Sequence, residues 1–256
     1  MQPLEEWLLP TKHLGRQVLV FAQIDSTNTY AAGLGNDPAN LGTVVIAHEQ
    51  SAGRGQHGRT WQSPSGMGVL MSVVLAPSQA LRRPVILAAL AANAVCETIR
   101  RRTNLQAVIK WPNDVLIRGR KVCGILIEQN GPTVIGIGLN VKQPETVFEQ
   151  AGLPVAASLE MMSGQSLERD QIAKQLIAEL DEQYAQLVQG NLDRLESAWK
   201  WRMGLTGKQV EVECVDRLVC GSLEVVSFKN IGIRHEDGRL ELILPERIKH
   251  VTERPA

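Results

Sequence analysis

The chain has 256 residues, which at about 150 per domain allows one to two domains; 44% hydrophobic and 21% charged residues describe a chain that buries a core. Its 27 Lys and Arg balance 27 Asp and Glu, which excludes the strongly basic profile of a general nucleic-acid coat. Glu5 and Glu6 stand where a secretory signal needs positive charge, the longest near-apolar run (85–96) is too short to span a bilayer, and Cys96, Cys123, Cys214 and Cys220 form no CxxC pair. The expectation is a cytoplasmic globular protein with no membrane segment and no nucleic-acid partner.

In chain order, 17–22 reads as a short strand, after which Asp25 or Ser26 N-caps a short helix through Tyr30 to Leu34 that Gly33 and Gly35 end. Residues 43–47 (TVVIA) read as a buried strand, followed by a long polar, Gly-rich loop and a strand at 69–75. Pro84 opens an apolar helix that continues to about Arg102. Next come β signals at 107–109, 115–117, 122–128 and 133–138, with Arg118-Gly119 as a tight hairpin between two of them. From Glu168 the pattern is helical, and Ile172, Leu176, Leu180, Tyr184 and Leu187 form one apolar stripe. A second helical segment spans 193–202, and Gly204 and Gly207 break it. The short β-rich runs at 209–214, 221–227, 232–234 and 240–244 fit a small barrel. Mixed strands with segregated helices indicate an α+β fold rather than a doubly wound one. The expected domains are 1–203 and 204–256.

Four clusters can carry chemistry. Gly53-Arg54-Gly55-Gln56-His57-Gly58 matches GxGxxG, but no helix opens there and no acidic residue lies between Gln50 and Cys96, so a dinucleotide fingerprint is ruled out. No Gly-Lys-Ser/Thr closes a Walker loop either. What remains is a glycine-rich loop with Arg54 and Arg59, whose N–H groups and guanidinium forks suit a phosphate or, alternatively, solvent. The second cluster is Lys110-Trp111-Pro112-Asn113-Asp114 followed by Arg120-Lys121-Val122-Cys123-Gly124, where Lys110 and Lys121 flank a hairpin and reach one mouth of the sheet, or guard an edge strand. Gly136 and Gly138 in Gly-Ile-Gly-Leu-Asn140 mark a bulge or a close backbone approach. Asp25-Ser26-Thr27-Asn28 alone is only a helix cap. The histidines have no metal-ligand spacing, and His48 and His57 beside the loop read as bystanders.

Together and in this order, DSTN (25–28), EQSAGRGQHGRTW (49–61), KWPNDVLIRGRKVCGILIE (110–128) and GIGLN (136–140) resemble the biotin protein ligase family. The resemblance implies a mixed-sheet catalytic domain of the biotin/lipoate ligase type and, from Gly207-Lys208 on, an SH3-like barrel. It implies a two-step reaction: biotin and ATP give biotinyl-5′-AMP and pyrophosphate, and the biotinyl group then passes to a lysine of a biotin carboxyl carrier protein. Lys121, Arg54 and Asp114 are the implied catalytic residues. Lys121 bridges carboxylate and phosphoryl oxygens, and Asp114 orients the acceptor lysine, takes its proton or caps a turn. Ser26, Thr27, Asn28 and Gln50 are implied to hold biotin, with Gly53, Arg54, Gly55, Gln56, Lys121 and Gly124 completing its pocket. Arg54, Arg59, Trp61, Lys110, Asn113, Lys121 and Asn140 are implied to hold ATP and the adenylate, with Trp61 either stacking on adenine or anchoring the loop. Mg²⁺ arrives on the ATP phosphates rather than on protein ligands.

Two departures stand out. Many relatives carry Arg where this chain has Gln56, and some carry an N-terminal DNA-binding domain; only 24 residues precede Asp25 here, so a short form without repressor activity is expected. A homodimer through a sheet edge stays open. The rivals are a lipoate or octanoate ligase or transferase of the same fold, which the GRGxxGRxW loop disfavours, and a non-catalytic biotin-sensing module.

Overall fold

Period-two burial on both sides of the strands builds the molecule. In the computed structural model, which describes residues 2–254, eight strands form one mixed sheet. They are β1 (Glu5–Leu8), β2 (Gln17–Ile24), β3 (Val44–Gln50), β4 (Gly68–Leu75), β5 (Val108–Lys110), β6 (Asp114–Ile117), β7 (Arg120–Glu128) and β8 (Thr133–Asn140), in the order β1-β2-β3-β4-β8-β7-β6-β5. Strands β2 and β3 run parallel and the other neighbours antiparallel. Val18, Val20, Val44 and Ile46 point into the larger core, whereas Leu19, Phe21, Val45 and Ala47 point into a smaller one on the opposite face. The smaller face is covered by α1 (Thr27–Gly33), N-capped by Ser26, which accepts from Thr29 N. The larger face lies under α2 (Pro84–Thr103), α5 (Arg169–Val188) and α6 (Leu192–Met203). Helix α2 ends on Asn104 in the left-handed region, and α5 buries Ile172, Leu176, Leu180 and Leu187 of its stripe. Helices α3 (Glu145–Gln150) and α4 (Leu159–Ser163) complete this half. The α+β class and the mixed sheet agree with the expectation.

The expected barrel does not form. Strands β9 (Gln209–Cys214), β10 (Leu218–Val226), β11 (Ile231–Arg234), β12 (Leu240–Ile243) and β13 (Ile248–Glu253) make an open antiparallel sheet in the order β12-β11-β10-β9-β13. The two outer strands, β12 and β13, are not paired with each other. Closure needs strand number, tilt and stagger to agree, and turn-and-strand patterning carries no information on any of these. Here β11 and β12 span only four residues each, and the buried residues of the sheet join the larger core of the first sheet, with Phe228 of the β10–β11 loop reaching α6. Phe228 stacks on Trp199 at 5.1 Å between ring centroids, Trp199 packs on Trp111 at 5.5 Å, and Trp111 Nε1 donates to Ile248 O at 3.2 Å. One apolar core thus runs through both sheets.

Trp199 is the centre of that seam, fully buried with an aromatic ring on either side. Trp199→Ala is expected to cost about 3–5 kcal/mol, the usual range for removing a buried aromatic. Urea unfolding should show a lower midpoint; an unchanged midpoint would remove Trp199 from the seam. Among the described residues no helix is long and apolar enough to cross a membrane.

Candidate active site

The site begins with missing side chains. On the α1 face of the sheet, Leu70 and Ser72 of β4 pair with Gly138 and Gly136 of β8, which pair in turn with Gly124 and Leu126 of β7. A Cβ at Gly136 would stand 2.1 Å from Asn28 Oδ1, and one at Gly138 only 2.4 Å from the Trp61 indole. One at Gly124 would stand 2.8 Å from the same ring. The glycines therefore mark close approach, not a bulge: they let the first turn of α1 and the Trp61 ring rest on bare backbone.

At the α1 end the polar groups are interlocked. Ser72 donates to Asn28 Oδ1 at 2.5 Å, and its oxygen lies 2.8 Å from Thr27 Oγ1. Gln50 Oε1 accepts from both Thr27 N (2.7 Å) and Thr27 Oγ1 (3.0 Å). With its carbonyl so committed, the Gln50 amide is oriented, and its Nε2 donors have no partner among the described residues. Asn28 Nδ2 donates to Glu128 Oε2 at 2.7 Å, and Arg54 Nη2 donates to the same oxygen at 2.9 Å.

The glycine-rich loop is a small hairpin. Arg54 bridges Thr60, Gly55 N donates to Arg59 O, Trp61 N donates to Gly53 O, and a short 3₁₀ turn over Gln56–Gly58 forms the tip. Trp61 Nε1 is buried with no hydrogen-bond partner among the described residues, an orphan donor in the cavity wall. Beside the ring stands Lys121, its Nζ 5.8 Å from the indole centroid and 2.6 Å from Asp114 Oδ1. Lys121 is anchored through its backbone: its N donates to Val155 O at 2.7 Å, and its O accepts from Ala157 N at 2.9 Å.

These groups line one cavity of about 670 Å³, within the range of small-molecule sites. Ser26, Thr27, Asn28, Gln50, Arg54, Gly55, Gln56, Arg59, Trp61, Lys110, Asn113, Asp114, Lys121, Gly124 and Asn140 all reach it, whereas Gly53 lies outside its lining. Gly53 serves the hairpin instead: a Cβ there would stand 2.3 Å from Trp61 O. Two expected nucleotide ligands are occupied structurally. Asn113 Nδ2 donates to Ile125 O at 2.6 Å, and Asn140 Nδ2 donates to Ala157 O at 3.2 Å while its Oδ1 accepts from Gln143.

Sequence reasoning missed Ser72, which looked like any strand residue, and Glu128, which looked like a strand end. It also missed Phe148 of α3, Leu153 and Val155 on the irregular segment after it, and Glu213, His250 and Thr252 from the second sheet. His48 lies away from the cavity lining with Arg169 Nη2 2.8 Å from its Nε2; burial, and then that guanidinium, pushes its pKa down. The side chain of His57 lies outside the described residues. Cys123, beneath Gly124, is wholly buried and its thiol is pushed far up by burial, so it offers no thiolate nucleophile.

Residues 20–141 match the family model described as the biotin/lipoate A/B protein ligase family. A bifunctional ligase/repressor BirA of Bacillus spizizenii is 34% identical over 198 residues, covering 75% of this chain and 61% of that protein. This chain thus spans about three fifths of the length of that relative. A biotin–[acetyl-CoA-carboxylase] ligase of Mycobacterium tuberculosis is 35% identical over 223 residues, covering 82% of each chain. Among solved structures, a biotin protein ligase from Aquifex aeolicus in complex with biotin and ATP aligns with a TM-score of 0.79 at 24% identity, covering 93% of this chain and 99% of that one.

Proposed function

This chain belongs to the biotin protein ligase family, and from that premise we propose that it activates biotin with ATP and transfers the biotinyl group to a lysine of a carrier protein. The observation that carries the proposal is one cavity whose lining combines a neutral hydroxyl-and-amide cluster with the cationic groups Arg54, Arg59 and Lys121. Thr27, Gln50 and Ser26 supply donors and acceptors for a ureido ring, and Ser72 and Asn28 hold that cluster in place. A ligand lacking the ureido group would leave these polar atoms unpaired at about 1–3 kcal/mol each, which selects against lipoate and octanoate.

In the first step a biotin carboxylate oxygen attacks the α-phosphorus of ATP. The new O–P bond forms as the bond to the bridging oxygen breaks, and pyrophosphate leaves. The carboxylate is already a nucleophile, so no general base is needed; two unit charges 4 Å apart repel by about 4 kcal/mol at an intermediate dielectric, and cancelling that repulsion is the task. Lys121, Arg54 and Arg59 provide the positive charge, and Trp61 provides a flat wall with an unsatisfied donor. The acidic groups in or beside the cavity, Asp114, Glu213 and Glu128, are each paired with a cation, and Mg²⁺ enters on the nucleotide phosphates. In the second step a neutral lysine amine attacks the acyl carbon, the C–N bond forms, the acyl C–O bond breaks and AMP leaves. Asp114, 2.6 Å from Lys121, is within reach to orient that amine or take its proton.

The same reading makes the carrier a biotin carboxyl carrier protein, the compartment the cytoplasm, and 1–203 and 204–256 the two domains. The test is ATP–pyrophosphate exchange with biotin, lipoate and octanoate in parallel. Exchange with biotin alone is expected. Exchange driven by lipoate or octanoate would move the chain to the other branch of the family, and biotin binding without exchange would make it a sensor.

A further inference from the structure

Glu128 lies beside the cavity rather than in it, yet one of its carboxylate oxygens receives both Asn28 Nδ2 and Arg54 Nη2, at 2.7 and 2.9 Å. Asn28 belongs to the first turn of α1, and Arg54 to the hairpin loop. Glu128 is therefore the one group that ties the loop cation to the body of the sheet among the hydrogen bonds of the described residues. Arg54 has no second acceptor there, so its Nε and Nη1 donors remain for an oxyanion.

Two effects of the carboxylate oppose each other. It orients the guanidinium, which favours anion binding, and it takes up part of the guanidinium's charge and donors, which disfavours it. The pair is partly solvated, with side chains 46% and 25% exposed, so the orienting contribution is small. A carboxylate on Nη2 competes with an arriving phosphate for the same cation, and that competition exists only while both partners are present. The competition is the larger effect.

We propose that Glu128 is a positioning residue that tempers the hold of Arg54 on the phosphoryl group of the acyl-adenylate. It keeps the loop in place while leaving the intermediate free to pass to the incoming lysine. This inference rests on the ligase reading above. Because the carboxylate acts through Arg54, its removal matters only while the guanidinium is present.

The experiment follows release of labelled biotinyl-AMP from the whole 256-residue chain, loaded with the synthetic adenylate. Glu128→Gln, close in shape and neutral, is expected to slow release about tenfold, which is about 1.4 kcal/mol of tighter holding. In an Arg54→Gln background the same change should alter release less than twofold, an interaction that a merely structural role for Glu128 would not produce. Glu128→Ala provides a second variant and should also slow release. Release from Glu128→Gln as fast as or faster than from the unaltered chain would overturn the proposal, and so would an equal effect with and without Arg54. Exchange of pyrophosphate with biotin by the unaltered chain keeps the two readings apart. Normal exchange with unchanged release removes only the role of Glu128, whereas no exchange and no retention of the adenylate removes both.

Discussion

Lys121→Ala is expected to lower adenylate formation by about 10²–10³-fold while biotin affinity changes little. The magnitude is that of deleting one preorganised charge stabiliser from a transition state, about 2.7–4 kcal/mol. The asymmetry follows from where charge develops: the ammonium does most when carboxylate and phosphoryl oxygens crowd together, and less when either is bound alone. The surroundings support a fixed point charge. The backbone of Lys121 is clamped on both sides by Val155 and Ala157, its Nζ is 2.6 Å from Asp114 Oδ1, and the Trp61 ring closes the other side. A planar guanidinium does not replace a compact ammonium in that gap, so Lys121→Arg should recover little. Asp114→Asn leaves the cation but loosens it, and a smaller loss of about tenfold is expected. Pyrophosphate exchange measures all three variants, with biotin titration calorimetry as the control. Exchange at the unaltered rate in Lys121→Ala would remove Lys121 from the catalytic residues.

What could be read from the sequence follows the length scale of each signal. Long periodic elements were legible: the 20-residue helices α2 and α5 and the two-faced strands fall where the pattern places them. Helices α3 and α4, of six and five residues, and the four-residue strand β1 are too short for a period to register. They are held by neighbours, as Glu160 N donating to Val141 O and the pairing of β1 with β2 illustrate. The barrel failed for a related reason, because closure is a relation between strands and not a property of any one of them. Within the candidate site, the chemically marked motifs pointed to Arg54, Trp61 and Lys121, unusual choices for their positions, and all three line the cavity. Ser72 and Glu128 carried no such mark, because a buried serine and a strand-end glutamate acquire meaning only once β4 and β7 bring them beside α1. Asn113 and Asn140, amides in marked motifs, line the cavity and also hold the backbone carbonyls of Ile125 and Ala157, a second task that the motif alone does not reveal.

The glycines carry the second large expectation, because their value lies in what a methyl group would displace. At Gly138 an added Cβ would stand 2.4 Å from the Trp61 ring, and at Gly136 it would stand 2.1 Å from Asn28 Oδ1. The two neighbours differ in their freedom to move. Asn28 is buried and tied to Ser72 and Glu128, so Gly136→Ala should be paid in stability, about 1–3 kcal/mol as for other overpacked sites. Trp61 is only half-buried and rides on the hairpin loop, so it can tilt away from the sheet. Gly138→Ala should therefore fold with a midpoint near that of the unaltered chain, and lose the flat indole wall instead. If that wall supports the adenine, the loss is that of one base–aromatic stack, about 1–3 kcal/mol. The KM for ATP should then rise about tenfold or more while the KM for biotin stays within about twofold. Trp61→Ala should reproduce the effect, and the double variant should add little to either, since both remove the same contact. An unchanged KM for ATP in Gly138→Ala and Trp61→Ala would assign Trp61 to anchoring the loop and leave the nucleotide base to another wall of the cavity.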